Sequence, residues 1–258
     1  MSGAADVALV TGAESGIGAA SAKALAAAGF DIGVLYFRDA GLAATTVAAV
    51  EAAGRRACAV QADVADEAQV GRAFDVVTAA LGGPRVVVNS AGINQSGVRV
   101  VDMTMAQWQR MFGADLDGAF LTSRRLARDL AKRPGVAGRI INISSIHAEA
   151  MRAGAADYCA AKGALKNLTE AMSLEVAAAG ITVNAVAPGM ILTPMNEHAV
   201  ADATYRAALE KSIPVGRAGT AAEVAGLVAW LASDAAAYVT GTTVTIDGGL
   251  SLVLGQGA

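Results

Sequence analysis

Seven apolar, strand-length runs recur along the chain, at about residues 6 to 11, 31 to 37, 56 to 61, 85 to 89, 138 to 144, 180 to 187 and 242 to 246. Helix-forming stretches separate them, among them "IGAASAKALAAAG", "DEAQVGRAFDVVTAALG" and a long one at residues 104 to 132, and several stop at glycine as helix C-termini do. Strand and helix in strict alternation leave few architectures open. Repeated right-handed βαβ units wind a parallel sheet with helices on both faces, which makes this an α/β doubly wound chain with a seven-stranded sheet. Strands covered on both faces read as continuous apolar runs, and the composition of 54% hydrophobic against 17% charged residues suits them. The 258 residues contain no Pro/Ser-rich linker or charge run, so one domain is expected over residues 1 to 258. Only residues 189 to 220 break the rhythm. A stretch that long, with its own short helical patch, reads as a lid over a binding site.

Charge and cysteine usage exclude several classes of function. The 20 basic residues are scattered among 23 acidic ones for a net charge of −3, which gives nucleic acid no basic face to bind. Every alanine-rich stretch meets a charge or a glycine before about 18 apolar residues accumulate, too few to span a membrane. "MSGAADVALV" has no basic region followed by an apolar core, so a cytoplasmic location is expected. Cys58 and Cys159 form no CxxC pattern, and His147 and His198 stand alone, so no metal site is expected.

Directly behind the first strand comes "TGAESGIG", residues 11 to 18, where a doubly wound fold brings a helix N-terminus to the carboxyl edge of its sheet. That place suits an anion, because backbone N–H groups and the helix dipole both face it. Gly12 permits the tight turn, Gly16 lets the backbone approach a pyrophosphate, and Gly18 lets the helix pack close to the strand, with Ser15 and Ile17 between them. The plainer alternative is a surface turn that uses glycine only for its positive φ.

"TGAESGIG" resembles the fingerprint of the short-chain dehydrogenase/reductase family, single-domain branch, whose fold is the Rossmann fold. Further pieces follow in the family's order: Asp63-Val64 after the third strand, "NSAG" at residues 89 to 92, "YCAAK" at 158 to 162, "VNAVAPGMILT" at 183 to 193 and "GTTVTIDGG" near the end. Ser90 departs mildly from the family's NNAG. The resemblance covers nearly the whole chain and is closest in kind to 3-oxoacyl-carrier-protein reductases and glucose or polyol dehydrogenases. It implies a nicotinamide cofactor held by Gly12, Ser15, Gly16, Ile17, Gly18, Tyr36, Arg38, Asp63, Val64, Asn89, Ala91, Gly92, Tyr158, Lys162, Pro188, Gly189, Ile191 and Thr193. It also implies a homotetramer formed through the helices at about 104 to 131 and 155 to 179 and the C-terminal strand region.

Tyr158 and Lys162 are four apart in a helical stretch and therefore share one face. A free phenol ionises near pH ~10, and a neighbouring ammonium favours the phenolate, which turns the phenol into a usable acid and base. Ser145 lies 13 residues before Tyr158, the family's interval between catalytic serine and tyrosine, and its hydroxyl would hold a substrate oxygen. We assign catalysis to Ser145 and structure to Ser144, with the exchanged roles and a simple helix cap left open. Where the family carries a fourth catalytic residue, asparagine, in N-L-x-G, this chain has "DLDG". Asp115 can accept hydrogen bonds from a water or from Lys162 but has no amide to donate. It is expected to order a relay water, and its charge to dilute the effect of Lys162 on Tyr158.

"LYFRDA" ends the second strand with Tyr36 where NAD-preferring relatives carry an acid. Without that carboxylate, and with Arg38 close by to pair with a 2′-phosphate, NADP(H) is favoured over NAD(H). Ser15, where many NADP-binding relatives are basic, and Asp39 count the other way. Glu14, Asn94 and Gln95 lie near the expected cofactor mouth without a role. The expected function is NAD(P)(H)-dependent interconversion of a secondary alcohol and a ketone, on a small-molecule substrate. The alternative is a dinucleotide-binding sensor or scaffold that has lost turnover.

Overall fold

The computed structural model describes residues 5–94 and 97–253. The chain begins with β1 (Val7–Thr11), α1 (Gly16–Ala27), β2 (Asp31–Tyr36), α2 (Ala40–Ala52), β3 (Ala57–Gln61), α3 (Glu67–Leu81) and β4 (Val86–Asn89). It continues with α4 (Met105–Phe112), α5 (Gly118–Leu130), β5 (Gly138–Ile143), α6 (Ala156–Val176) and β6 (Ile181–Pro188). Next come β7 (Ile191–Leu192), α7 (Glu197–Ala201), α8 (Ala203–Glu210), β8 (Gly219–Thr220), α9 (Ala221–Ala232), β9 (Thr243–Ile246) and α10 (Leu250–Val253). All seven apolar runs become strands of one parallel sheet, in the order β3-β2-β1-β4-β5-β6-β9. The order reverses between β1 and β4, and a ligand of an open α/β sheet binds in the crevice that this reversal opens at the carboxyl ends of the strands.

Residue alternation sends successive side chains to opposite faces. Ala8 and Val10 of β1 join Val34, Val88, Ala22, Leu25, Val224 and Val228 in one core, under α1 and α9. Val7 and Leu9 join Val87, Phe74, Val77, Leu126 and Leu130 in the other, under α3 and α5. Each fully buried Leu, Val or Phe here is worth about 1.5–3 kcal/mol relative to the exposed side chain.

Two regions differ from the pattern expected of the sequence. The stretch at 104 to 132 is not one helix: α4 and α5 are joined by a π-helical turn over Gly113–Asp117, which carries Asp115. The insertion at 189 to 220 holds two short helices, α7 and α8, and is closed at its base by a two-stranded parallel pair in which Ile191 faces Gly219 and Leu192 faces Thr220. The rings of His198 and Tyr205 stack at 4.1 Å and link α7 to α8.

Candidate active site

A cleft of about 1050 Å³ runs along the carboxyl edge of the sheet from β2 to the insertion. That exceeds the roughly 300–1,000 Å³ of a pocket for one small ligand, and leaves room for a dinucleotide with a substrate beside it. The glycine loop forms one wall, with Gly12, Ser15, Gly16, Ile17 and Gly18 all lining the cleft. Gly12 and Gly16 adopt φ of +61° and +53°. At Gly18 a Cβ would lie 2.2 Å from the carbonyl oxygen of Gly12, so only glycine lets α1 start this close to β1. Ser15 is the N-cap of α1 but makes no side-chain cap bond, whereas Asp39, Asp66, Thr104, Asp202 and Thr220 cap their helices. The first-turn N–H groups of α1 are thus left for another acceptor, as a phosphate site requires.

The opposite wall is tied to this loop. Thr11 Oγ1 accepts from the backbone N–H groups of Ser90 and Ala91 at 3.0 Å each, which holds "NSAG" beside the glycine turn. Tyr36, Arg38, Asp63, Val64, Ala91, Gly92, Pro188, Gly189, Ile191 and Thr193 also line the cleft. Asn89 does not. Its amide nitrogen donates to Asn142 Oδ1 at 2.8 Å and Ser123 Oγ at 3.0 Å, and its oxygen accepts from Thr122 Oγ1 at 2.5 Å. The side chain is engaged in locking β4 to β5 and α5, which leaves only the backbone of Asn89 to serve a cofactor. Gln95, assigned no role, lies outside the described residues.

Ser145, Tyr158 and Lys162 come together in this cleft, from the end of β5 and one face of α6. Ser145 Oγ accepts the backbone N–H of His147 at 3.1 Å, which orients the hydroxyl and leaves its proton to donate. Ser144 also lines the cleft, and its buried Oγ has no hydrogen-bond partner, so the geometry keeps both serines in reach of a substrate. Lys162 is 5% exposed. Its Nζ donates to the Ile143 carbonyl at 3.0 Å and lies 5.6 Å from the centre of the Tyr158 ring.

The π-turn brings Asp115, 2% exposed, to the same amine, with Oδ2 at 3.1 Å from Lys162 Nζ. Oδ1 accepts the Ile93 N–H at 2.7 Å, while Oδ2 has no aligned hydrogen bond, so the contact with Lys162 is one of charge. A Cβ on Gly92 would stand 2.9 Å from that oxygen, which explains glycine there. Burial pushes the Asp115 carboxyl above its ordinary range, against the pull of Lys162. Burial also works against the Lys162 charge, but the Asp115 carboxylate and the Tyr158 oxygen together outweigh it and hold the amine above its ordinary value, hence as an ammonium at neutral pH. The expected carboxylate–ammonium interaction is thus direct.

Residues around the far end were less legible from sequence. Arg110, His147, Arg152, Met195, Tyr205 and Leu209 also line the cleft, from four separate segments. His147 Nδ1 lies 2.7 Å from the Ala150 carbonyl and so carries the proton in that bond, and its ring meets Tyr158 edge-on with centroids 6.2 Å apart.

Residues 12–251 match the family described as enoyl-(acyl carrier protein) reductase. The chain is 42% identical to the uncharacterised oxidoreductase YohF of Escherichia coli (strain K12) over 248 residues, 96% of each chain. It is 42% identical to 3beta-hydroxysteroid dehydrogenase 1 of Eggerthella lenta over 249 residues, covering 96% of this chain and 94% of that one. Among solved structures, acetoin dehydrogenase from Enterobacter cloacae superposes over 100% of both chains with a TM-score of 0.90 and 39% identity. With the fold, the cleft and these relatives in agreement, the chain belongs to the short-chain dehydrogenase/reductase family, the single-domain oxidoreductases acting on CH–OH groups.

Proposed function

We propose that this chain is a cytoplasmic NAD(P)(H)-dependent oxidoreductase that interconverts a small secondary alcohol and its ketone, with Tyr158 as the general acid and base. The observation that carries the reading is the buried Lys162 ammonium beside the Tyr158 ring, in a cleft that also holds Ser145 and the uncapped start of α1. The residues fit a dinucleotide: the glycine loop for its pyrophosphate, Asp63 and Val64 for its adenine, Lys162 for ribose hydroxyls, and Gly189, Ile191 and Thr193 beside its nicotinamide. Bound there, the cofactor supplies or receives the hydride.

Ser145 donates its hydroxyl proton to the substrate oxygen and holds it against Tyr158. In oxidation the Tyr158 phenolate takes the alcohol proton; in reduction the phenol returns it to the forming alkoxide. Lys162 stabilises the phenolate, and Asp115 positions Lys162. The insertion at 189 to 220 closes over the substrate, hinged on the short pairing of Ile191–Leu192 with Gly219–Thr220. Met190, Ile191, Met195 and Leu209 give the insertion side of the cleft an apolar face, which suits small or alicyclic ketones of the kind named for the acetoin and hydroxysteroid relatives. Arg38, exposed and stacked on Phe37 with its guanidinium carbon 5.3 Å from the ring centre, is free to meet a 2′-phosphate, which supports NADP(H) over NAD(H). Exposed Met105, Phe120 and Leu174 on α4, α5 and α6 support assembly into a homotetramer through those helices.

The test is Tyr158→Phe. Cofactor binding should persist while ketone reduction falls by about 10²–10⁴-fold. A wild-type chain that binds cofactor but turns over no ketone or alcohol of a broad panel would instead favour the non-catalytic sensor, the reading that the Asp115 substitution alone suggests.

A further inference from the structure

We infer that Glu14, in the glycine loop, reads the adenosine ribose and takes the part of the carboxylate that the end of β2 lacks. The loop is fastened to that strand end: the Ala13 N–H donates to the Leu35 carbonyl at 3.0 Å, and Glu14 Oε1 accepts the Phe37 N–H at 3.0 Å. Thr46 Oγ1 grips the Ala13 carbonyl from α2 at 2.9 Å, so the loop has little freedom to swing away. Glu14 therefore stands at the carboxyl end of β2, among the residues that line the cleft with Tyr36 and Arg38.

Its second oxygen is what points to a ligand. Oε2 is shielded from solvent and has no hydrogen-bond partner. A carboxylate oxygen withdrawn from water without a donor is costly, and persists where an incoming group supplies one. A ribose hydroxyl at the end of β2 is such a donor. A 2′-phosphate at that place would instead meet a negative charge in a partly dry site, where repulsion is stronger than in bulk water. Two opposed groups thus act on one position: Arg38 draws the phosphate in, and Glu14 accepts from the hydroxyl and resists the phosphate. Glu14 keeps NAD(H) competitive and sets how narrow the NADP(H) preference is.

This inference rests on the cleft holding a nicotinamide dinucleotide, and the experiment separates the two. Affinities of NADH and NADPH are measured by fluorescence titration on the wild type, Glu14→Gln, Glu14→Ser and Arg38→Ala. Glutamine keeps an acceptor for the Phe37 N–H and removes only the charge; serine removes the whole group and guards against an effect peculiar to the amide. Both Glu14 variants should raise the NADPH-to-NADH affinity ratio by about tenfold, and Arg38→Ala should lower it. Binding of 2′,5′-ADP relative to 5′-AMP should move in parallel, since those probes carry no nicotinamide. A ratio within about twofold of wild type in folded Glu14 variants overturns the role of Glu14 and leaves the dehydrogenase reading standing. A wild type that binds neither dinucleotide overturns both.

Discussion

Asp31 and Asp115 are buried alike, at 1% and 2% exposure, yet burial acts on them to opposite ends. Burial opposes the charge of Asp31 too, but the Arg56 N–H at 3.0 Å and the guanidinium groups of Arg55 at 2.6 Å and Arg56 at 2.7 Å outweigh it. Its carboxyl is held below the ordinary 3.8. Asp115 has one N–H and one unaligned ammonium, and burial wins. A carboxylate surrounded by donors is a finished piece of structure, clamping the start of β2 to the start of β3. One left short of donors beside a lysine in a cleft has capacity to spare for chemistry.

The sharpest way to break this comparison is to neutralise the structural partner. Asp31→Asn would leave two guanidinium groups facing an amide, and stability at neutral pH should drop by about 2 kcal/mol with cofactor affinity unchanged. A depressed carboxyl contributes stability above its ordinary value of 3.8 and loses it as pH falls through the lower folded value, so the deficit should vanish in strong acid. Urea midpoints across pH check both halves. An equal deficit at every pH would mean that packing, not charge, makes Asp31 matter.

Asp115→Asn tests the other member. With its counter-charge gone, the Lys162 ammonium acts on the substrate-side groups undiluted, and the acid limb of the alcohol-oxidation profile should move to lower pH. The measurement is kcat/KM against pH for one alcohol. An unmoved limb, with activity merely scaled down, would make Asp115 a structural carboxylate like Asp31.

The same contrast explains what the sequence could show. The sheet was legible because continuous apolar runs of strand length must be covered on both faces, and the glycine loop because Gly18 sits where no other residue fits. Tyr158 and Lys162 were legible because a helix carries a spacing of four onto one face. The π-turn was not, since its extra residue per turn leaves no mark in the apolar pattern of 104 to 132, and with it the aim of Asp115 was hidden. The partners of the Asn89 side chain were hidden for another reason: its motif names a loop whose backbone is expected beside the cofactor, and says nothing of the amide between two strands, which pairs with Asn142, Ser123 and Thr122. Glu14 was placed at the cofactor mouth but given no role, because a loop side chain has no periodicity to reveal where it turns.

Glu223 supplies the third carboxylate, and the smallest expected effect. It stands at the start of α9, directly after β8, in a bidentate pair with Arg217 at 2.6 and 3.0 Å, and its Oε2 accepts the Thr220 N–H at 2.8 Å in a capping box. Arg217 first, then Thr220, lower its carboxyl from the ordinary 4.5 to about 2. Its contribution is therefore present above 4.5 and is lost as pH falls toward 2, the same sign as Asp31. Its side chain is 41% exposed, however, and water and salt screen what they reach. Glu223→Gln should lower the urea midpoint less than Asp31→Asn does, and high salt should erase the difference from wild type while leaving the Asp31 deficit. If the two deficits respond to salt alike, the number of hydrogen-bond donors around a carboxylate governs its worth in this fold, and burial does not.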